Sequence, residues 1–203
     1  MSDSKLSELE NDALAEIINI GMGRAADSLS QMVSEEVSLS VPMLNVISGQ
    51  DALGEIDKLT DGDISGVTQD FNGILSGRAM LLFPEEQSMN LVRLLLREEV
   101  PLEMMSELEK EALTEVGNII LNACFGTVAN TLTFELDSTL PLFVQGKSHA
   151  LFDEDIQSHS VLLIQVDFAL PSKNIKGFLT FLMDINSMDI MRARIQEFVA
   201  SLS

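Results

Sequence analysis

Two pairs of polar residues with the same spacing are the features of this sequence that could perform chemistry. Glu16 and Asn19 stand three positions apart near the start of the chain, and Glu115 and Asn118 repeat the pair near its middle. A carboxylate ionised at neutral pH can pair with a cation, and a carboxamide can donate and accept hydrogen bonds without titrating. On a helix, residues three apart project side by side, so each pair can act together. The chain therefore carries one candidate polar site twice.

Both pairs lie in an internal repeat. Residues 8–44 align with residues 107–143 without a gap, at an offset of 99, and few residues are identical. The identities include the Glu/Asn pairs and a proline 23 positions after each Asn, Pro42 and Pro141. Apolar identities would be kept for packing, whereas a Glu and an Asn three apart are harder to explain that way.

The repeat extends further along the chain, because Ser88–Arg93 corresponds to Ser187–Arg192. Each half, about residues 5–100 and 104–200, is short for a domain of the usual ~100–200 residues. We therefore predict that residues 1–203 form a single domain in which two pseudo-twofold repeats share one core.

Helical periodicity places each pair beside an apolar stripe. In the first repeat the predicted stripe is Leu6, Leu9, Ala13, Ile17 and Ile20, with Asp12, Glu16 and Asn19 on the adjoining strip. In the second repeat it is Leu108, Ala112, Val116, Ile119 and Ala123, with Glu111, Glu115 and Asn118 on the adjoining strip. The first helix is predicted to start near residue 5.

Strands are predicted at residues 37–47 and 161–170, with Pro42 and Pro141 at a strand edge or bulge. Residues 48–66 and 147–159 are predicted as loops. Successive strands outnumber strand–helix–strand alternation, so the predicted fold class is α+β, with long helices packed on a largely antiparallel sheet.

Composition restricts the possible functions. At 203 residues and 46% hydrophobic residues, the chain can build a sizeable core, and no apolar run reaches the ~18 residues of a membrane span. The formal net charge of −20, with only 12 Lys and Arg, argues against binding to nucleic acid or insertion into an anionic membrane. The polar, acidic amino terminus does not resemble a signal peptide, so we expect a cytoplasmic protein.

The spacing Asp/Ser-x3-Glu-x2-Asn-x22-Pro resembles the signature of the CheC/CheX/FliY family of chemotaxis phosphatases. Asp12, Glu16, Asn19 and Pro42 fit it completely. The second copy fits at Glu115, Asn118 and Pro141 but has Glu111 where the pattern has Asp or Ser. Two copies in about 200 residues make the chain CheC-like.

The resemblance implies hydrolysis of the aspartyl phosphate of a phosphorylated CheY-like receiver domain. It implies that each Asn holds a water in line with phosphorus, and that each Glu pairs with a lysine of the receiver and sets the docking register. It implies no cofactor beyond the Mg²⁺ bound by the receiver substrate. Asp12, Pro42, Glu111 and Pro141 would support the site.

Other interpretations of these residues remain open at this point. Each Glu/Asn pair taken alone would be a solvated helix flank, and an acidic residue such as Asp12 or Glu111 is favoured early in a helix by the dipole. The G-x-G-x-x-A segment at 21–26 lacks the strand that a dinucleotide site needs, so helix packing explains it better. The rival function is a non-catalytic adaptor of the same fold that binds a response regulator, the CheD deamidase or a flagellar switch component.

Overall fold

Two long helices carry the two Glu/Asn pairs. The computed structural model describes residues 6–58, 62–96, 102–152, 156, 159–170 and 173–201. Helix α1 (Glu8–Val33) begins with a capping box, in which Ser7 and Glu10 exchange hydrogen bonds. This cap starts the helix three residues after the predicted position. Helix α4 (Leu102–Thr131) carries the second pair.

The described residues contain six helices and seven strands. The other elements are β1 (Ser38–Ser48), α2 (Gly49–Asp57), β2 (Ile64–Gly73), β3 (Gly77–Pro84), α3 (Glu85–Leu96), β4 (Leu136–Ser138), β5 (Leu142–Gly146), α5 (Ser148–Leu151), β6 (Ser160–Leu170), β7 (Lys173–Met183) and α6 (Ile185–Ser201).

All strands belong to one antiparallel sheet of order β1-β6-β7-β3-β2-β4, with β5 also paired to β2. The outer strand β1 of the first half pairs with β6 of the second half, and β4 and β5 of the second half pair with β2 of the first. Each half thus completes the sheet of the other. The predicted single α+β domain with a largely antiparallel sheet is confirmed. The bounds of the two repeats stay a prediction, and residue 5 and residues 97–100 lie outside the described residues.

The helices cover both faces of this sheet. The larger core lies under α1, α3, α4 and α6, and a smaller core lies under α2 and α5. The prediction of loops at 48–66 and 147–159 is therefore wrong in part. Ser48 caps α2 by accepting a hydrogen bond from the Asp51 N–H, and burial of Ala52 and Ile56 fixes this helix on the sheet.

The predicted apolar stripes of the long helices are rotated from the observed ones. In α1 the buried residues include Leu14, Ile18, Met22 and Leu29, whereas Leu9 and Ile20 are 63% and 44% exposed. In α4 the buried residues include Leu113, Val116, Ile120 and Leu121, and the predicted Leu108, Ala112, Ile119 and Ala123 are only half-buried. Both helices contact the sheet and each other, so the buried face is wider than one stripe and its centre cannot be read from periodicity.

Part of α4, Glu107–Thr131, is long and apolar enough by composition to span a membrane, and it is the one helix of the described chain that passes this test. More than half of its most apolar window is buried inside the domain. Packing against the sheet and α1 accounts for its apolar character.

Candidate functional site

Helices α1 and α4 pack closely where Gly21 meets α4. A Cβ at Gly21 would lie 3.2–3.4 Å from atoms of Ala123, Cys124 and Thr127, and the Arg24 guanidinium donates to Thr127 Oγ1 at 3.3 Å. This agrees with the prediction of close helix packing at residues 21–26, although a Cβ at Gly23 would contact nothing within 4 Å. Residues earlier in α1 lie near residues later in α4: Gly21 lies against Cys124, whereas the depression lined by Leu9 is also lined by Thr131. The two helices therefore run antiparallel.

The antiparallel arrangement separates the two polar pairs. Asn19 precedes the crossing on α1 and Asn118 precedes it on α4, which places them on the order of 10–20 Å apart along the helix axes. Each Glu stands one turn from its own Asn on the outer side of its helix. The structure therefore brings together the members of each pair, but it does not bring the two pairs together.

The predicted site residues differ in exposure. Glu16, Asn19 and Glu115 are exposed, whereas Asn118 is half-buried. Asp12 and Glu111 are also exposed, each one turn before its Glu. Within the described part of the chain, neither Glu forms an ion pair, so both carboxylates are available to a partner.

Both prolines interrupt corresponding strands. Pro42 is exposed in the edge strand β1, at a bulge where residues 41 and 42 stand between Ser40, paired with Asp167, and Met43, paired with Gln165. Pro141 lies in the gap between β4 and β5, which corresponds to the same place in the second half. The predicted bulge is found at Pro42, whereas Pro141 lies between two strands, one residue before β5.

The first pair borders an open apolar depression. Glu16 lines it together with Leu9, Ile17 and Ile20 of α1, Thr131 of α4, and Phe198 and Val199 of α6. Its volume is about 340 Å³. Exposed apolar side chains next to a polar pair are typical of a protein-docking surface.

The second pair is tied into a hydrogen-bond network. Asn118 Oδ1 accepts from Asn122 Nδ2 at 2.7 Å, and Asn122 Oδ1 accepts from Gln69 Nε2 at 3.3 Å. Gln69 Nε2 also lies 2.7 Å from the Thr139 carbonyl oxygen and 3.1 Å from Ser138 Oγ. The network joins α4 to β2 and to the segment before Pro141.

Asn19 has no corresponding network. The residue one turn after it is Gly23, where the second helix has Asn122. No side-chain hydrogen bond to Asn19 occurs among the described residues. The two copies thus share the Glu/Asn pair but differ in what holds the Asn.

Gly117, next to Asn118, brings α4 against the sheet. A Cβ at this position would lie 2.7–2.9 Å from the Cβ, Cγ1 and Cγ2 atoms of Val67 on β2. Residues on β2 near Val67, including Gln69, therefore come within reach of α4.

Two further carboxylates, Glu10 and Glu109, were not predicted as structural residues and are buried at corresponding positions of α1 and α4. Glu10 accepts hydrogen bonds from the Ser7 N–H and from Gln196 Nε2 and pairs with Arg192. Burial raises the pKa of Glu10, but the hydrogen bonds from Ser7 and Gln196 and the charge of Arg192 together hold that pKa below its usual value.

Glu109 accepts from Ser88 Oγ at 2.6 Å, so each carboxylate joins its long helix to a helix of the other half. Their identity within the repeat was the available signal. Cys124 is a buried core thiol, and burial raises its pKa to about 12.

Comparisons with known proteins agree with the resemblance. The model of the CheC-like family matches residues 9–46, a segment that contains Asp12, Glu16, Asn19 and Pro42. A relative from Bacillus subtilis (strain 168), the CheY-P phosphatase CheC, is 24% identical over 139 residues, which are 67% of this chain and 66% of the relative. The match thus spans slightly less than two thirds of the relative's length.

Solved structures show the same fold at low identity. FliY of Thermotoga maritima has a TM-score of 0.77 at 16% identity, covering 95% of this chain and 98% of its own. The FliM middle domain of H. pylori has a TM-score of 0.65 at 11% identity, covering 93% of this chain and 99% of its own, and a chain of the FliG–FliM complex of H. pylori has a TM-score of 0.69 at 10% identity, covering 90% and 98%. The CheX–CheY–BeF3–Mg²⁺ complex of Borrelia burgdorferi matches with a TM-score of 0.54 at 22% identity, covering 81% and 96%. The resemblance to the CheC-like family is confirmed.

Proposed function

From the resemblance to the CheC-like family, we propose that this protein hydrolyses the aspartyl phosphate of a phosphorylated CheY-like receiver domain in chemotaxis signalling. One observation carries the proposal. The Glu16/Asn19 pair stands exposed and unengaged beside an apolar depression, inside the segment that the family model matches, and a second Glu/Asn pair stands on α4. Exposed side chains without hydrogen-bond partners contribute little to folding, so the Glu16/Asn19 pair favours a role in binding or catalysis.

The reaction needs little from the phosphatase itself. A water oxygen attacks phosphorus, the bond between phosphorus and the aspartyl oxygen breaks, and the products are phosphate and a free carboxylate. Asn19 and Asn118 hold the water in line, because a carboxamide can position it without titrating. Glu16 and Glu115 pair with a lysine of the receiver and set the docking register.

The metal belongs to the substrate in this proposal. The Borrelia complex contains CheY with BeF3 and Mg²⁺, and we assign the same ion to the receiver here. Among the described residues there is no group of three His, Cys, Asp or Glu side chains suited to hold a metal. The protein acts without a cofactor of its own, and it acts in the cytoplasm, where we place the receiver.

Phosphate release from a panel of phosphorylated receivers from the same genome tests the proposal. The wild-type protein should accelerate release from at least one receiver, and the Asn19→Ala/Asn118→Ala double variant should not. Asn130→Ala is a matched control, because Asn130 is exposed on α4 outside both pairs. A folded double variant that accelerates release like the wild type would show that the assigned chemistry is wrong.

An adaptor without hydrolysis is the second candidate. The fold similarity to FliM and FliY favours it, as does an exposed apolar pair beside Pro141, Leu140 at 82% and Leu142 at 64% exposure. Its partners would be a response regulator, CheD or a flagellar switch component. Binding to a phosphorylated receiver with no change in its dephosphorylation rate would favour the adaptor over the phosphatase.

A further inference from the structure

In the hydrogen-bond network at the second site, one main-chain carbonyl oxygen determines which end of each side-chain amide donates and which accepts. The Thr139 carbonyl oxygen can only accept, so the Gln69 atom 2.7 Å from it must be the amide nitrogen Nε2. Nε2 has two hydrogens and faces two further acceptors, Ser138 Oγ at 3.1 Å and Asn122 at 3.3 Å. An amide nitrogen of Asn122 turned towards Nε2 would place two donors together, so Asn122 presents its oxygen to Gln69 and its nitrogen to Asn118. Asn118 must in turn present Oδ1 to Asn122. None of the three side-chain amides of this network, Gln69, Asn122 and Asn118, can be flipped alone without placing two donors or two acceptors together.

The orientation of Gln69 has a cost. Gln69 is buried at 2% exposure, and its Oε1 has no hydrogen-bond partner within the described part of the chain. An unsatisfied buried amide oxygen is destabilising, so folding alone does not explain this residue. Turning the amide would place its oxygen 2.7 Å from the Thr139 carbonyl oxygen, two acceptors with no hydrogen between them.

We propose that Gln69 and Asn122 are positioning residues that hold Asn118 in one rotamer and one orientation, so that the second site is preorganised, while Asn19 at the first site must be ordered as the transition state forms. This inference rests on the proposed function. With Oδ1 engaged by Asn122, Asn118 keeps both Nδ2 hydrogens and the second acceptor position of Oδ1 for the water and the phosphoryl group. Asn19 is exposed, and Gly23 supplies no side chain to restrain it.

The test isolates each site before removing the restraint. Asn19→Ala leaves only the second site, and Asn118→Ala leaves only the first. Asn122→Ala is then added to each parent, and phosphate release is measured against the concentration of a phosphorylated CheY-like receiver. Ordering one free side chain corresponds to about a 2- to 10-fold change in rate.

In the Asn19→Ala parent, Asn122→Ala should lower kcat by about 2- to 10-fold and leave KM unchanged. In the Asn118→Ala parent the same substitution should change neither constant. Asn122→Asp is nearly isosteric and still accepts from Gln69 but cannot donate to Asn118, so it should also lower kcat at the second site. Equal losses in both parents, or a change confined to KM, would overturn the positioning role.

A second measurement does not depend on activity. Nitrogen-15 relaxation of the side-chain amides should show Asn118 rigid and Asn19 mobile in the wild type, and Asn118 mobile in Asn122→Ala. Equal mobility of the two amides in the wild type would contradict the inference. If the Asn19→Ala parent is inactive, the proposed function fails at the second site; if it is active and Asn122→Ala leaves its kcat unchanged, only the positioning role fails.

Discussion

Replacing Gly117 with Ala tests how closely α4 must approach the sheet. The added Cβ would lie 2.7 Å from Val67 Cβ, about 0.8 Å inside the ~3.5 Å at which two carbon atoms pack. The Cγ1 and Cγ2 atoms of Val67 would be 2.8 and 2.9 Å from the added Cβ. Rotating the Val67 side chain moves these two atoms but not its Cβ, so no rotamer relieves the contact at the Cβ. Either α4 or β2 must therefore move.

The magnitude follows from two opposing effects. Forcing a methyl group into a packed core costs about 1–3 kcal/mol, and Ala favours a helix over Gly by about 1 kcal/mol. The net change in the free energy of unfolding is a loss of about 0–2 kcal/mol. Gly126→Ala on the same helix is the matched control, because its Cβ would contact nothing within 4 Å, and it should gain about 1 kcal/mol.

The difference between the two variants is thus about 1–3 kcal/mol and isolates the clash. Urea unfolding of both proteins measures it, and thermal unfolding should show about 2–4 °C per kcal/mol for a chain of this size. Val67→Ala removes two of the three crowded atoms, so the double variant should lose less stability than the sum of the single losses. If Gly117→Ala is as stable as Gly126→Ala, α4 does not pack on β2 as described.

Three further outcomes are expected. Asn19→Ala or Asn118→Ala alone should lower activity about 10²–10³-fold at its own site and leave the other site working, which assays of the two single variants and their double will separate. Glu16→Gln with Glu115→Gln should raise the half-saturating receiver concentration, and saturating receiver should restore part of the rate; a loss of maximal rate with unchanged half-saturation, identical to that of the Asn variants, would refute the division of roles. Glu10 has a folded pKa below its usual 4.5, so the stability it contributes is present above about pH 4.5 and is lost as pH falls through the lower folded value. Glu10→Gln should therefore be less stable at pH 7 and lose less stability on acidification, and urea unfolding at pH 7 and pH 3 will check this.

Much of the site could be predicted because its signal is local. Glu and Asn three apart share a helix face wherever the helix lies, so their side-by-side projection follows from helical geometry. A proline cannot donate to a strand ladder, which is why the sequence placed Pro42 at a strand edge or bulge, and a bulge is found there. The presence of the Glu/Asn pair in both repeats distinguishes it from ordinary exposed helix residues, since unselected surface positions would have diverged.

Tertiary structure decided what depends on distant segments. The buried side of α1 is centred on Leu14 and Ile18 rather than on Leu9 and Ile20, because the helix packs against both the sheet and α4. The strand β1 pairs with β6 of the other half, and β4 and β5 pair with β2 of the other half. The strand patterns in the sequence allow other pairings equally well. Asn122 reads in the sequence as one more polar helix residue, and only the fold brings it to Gln69, 53 positions away. Periodicity describes one helix at a time, whereas the restraint on Asn118 arises from contacts among three segments.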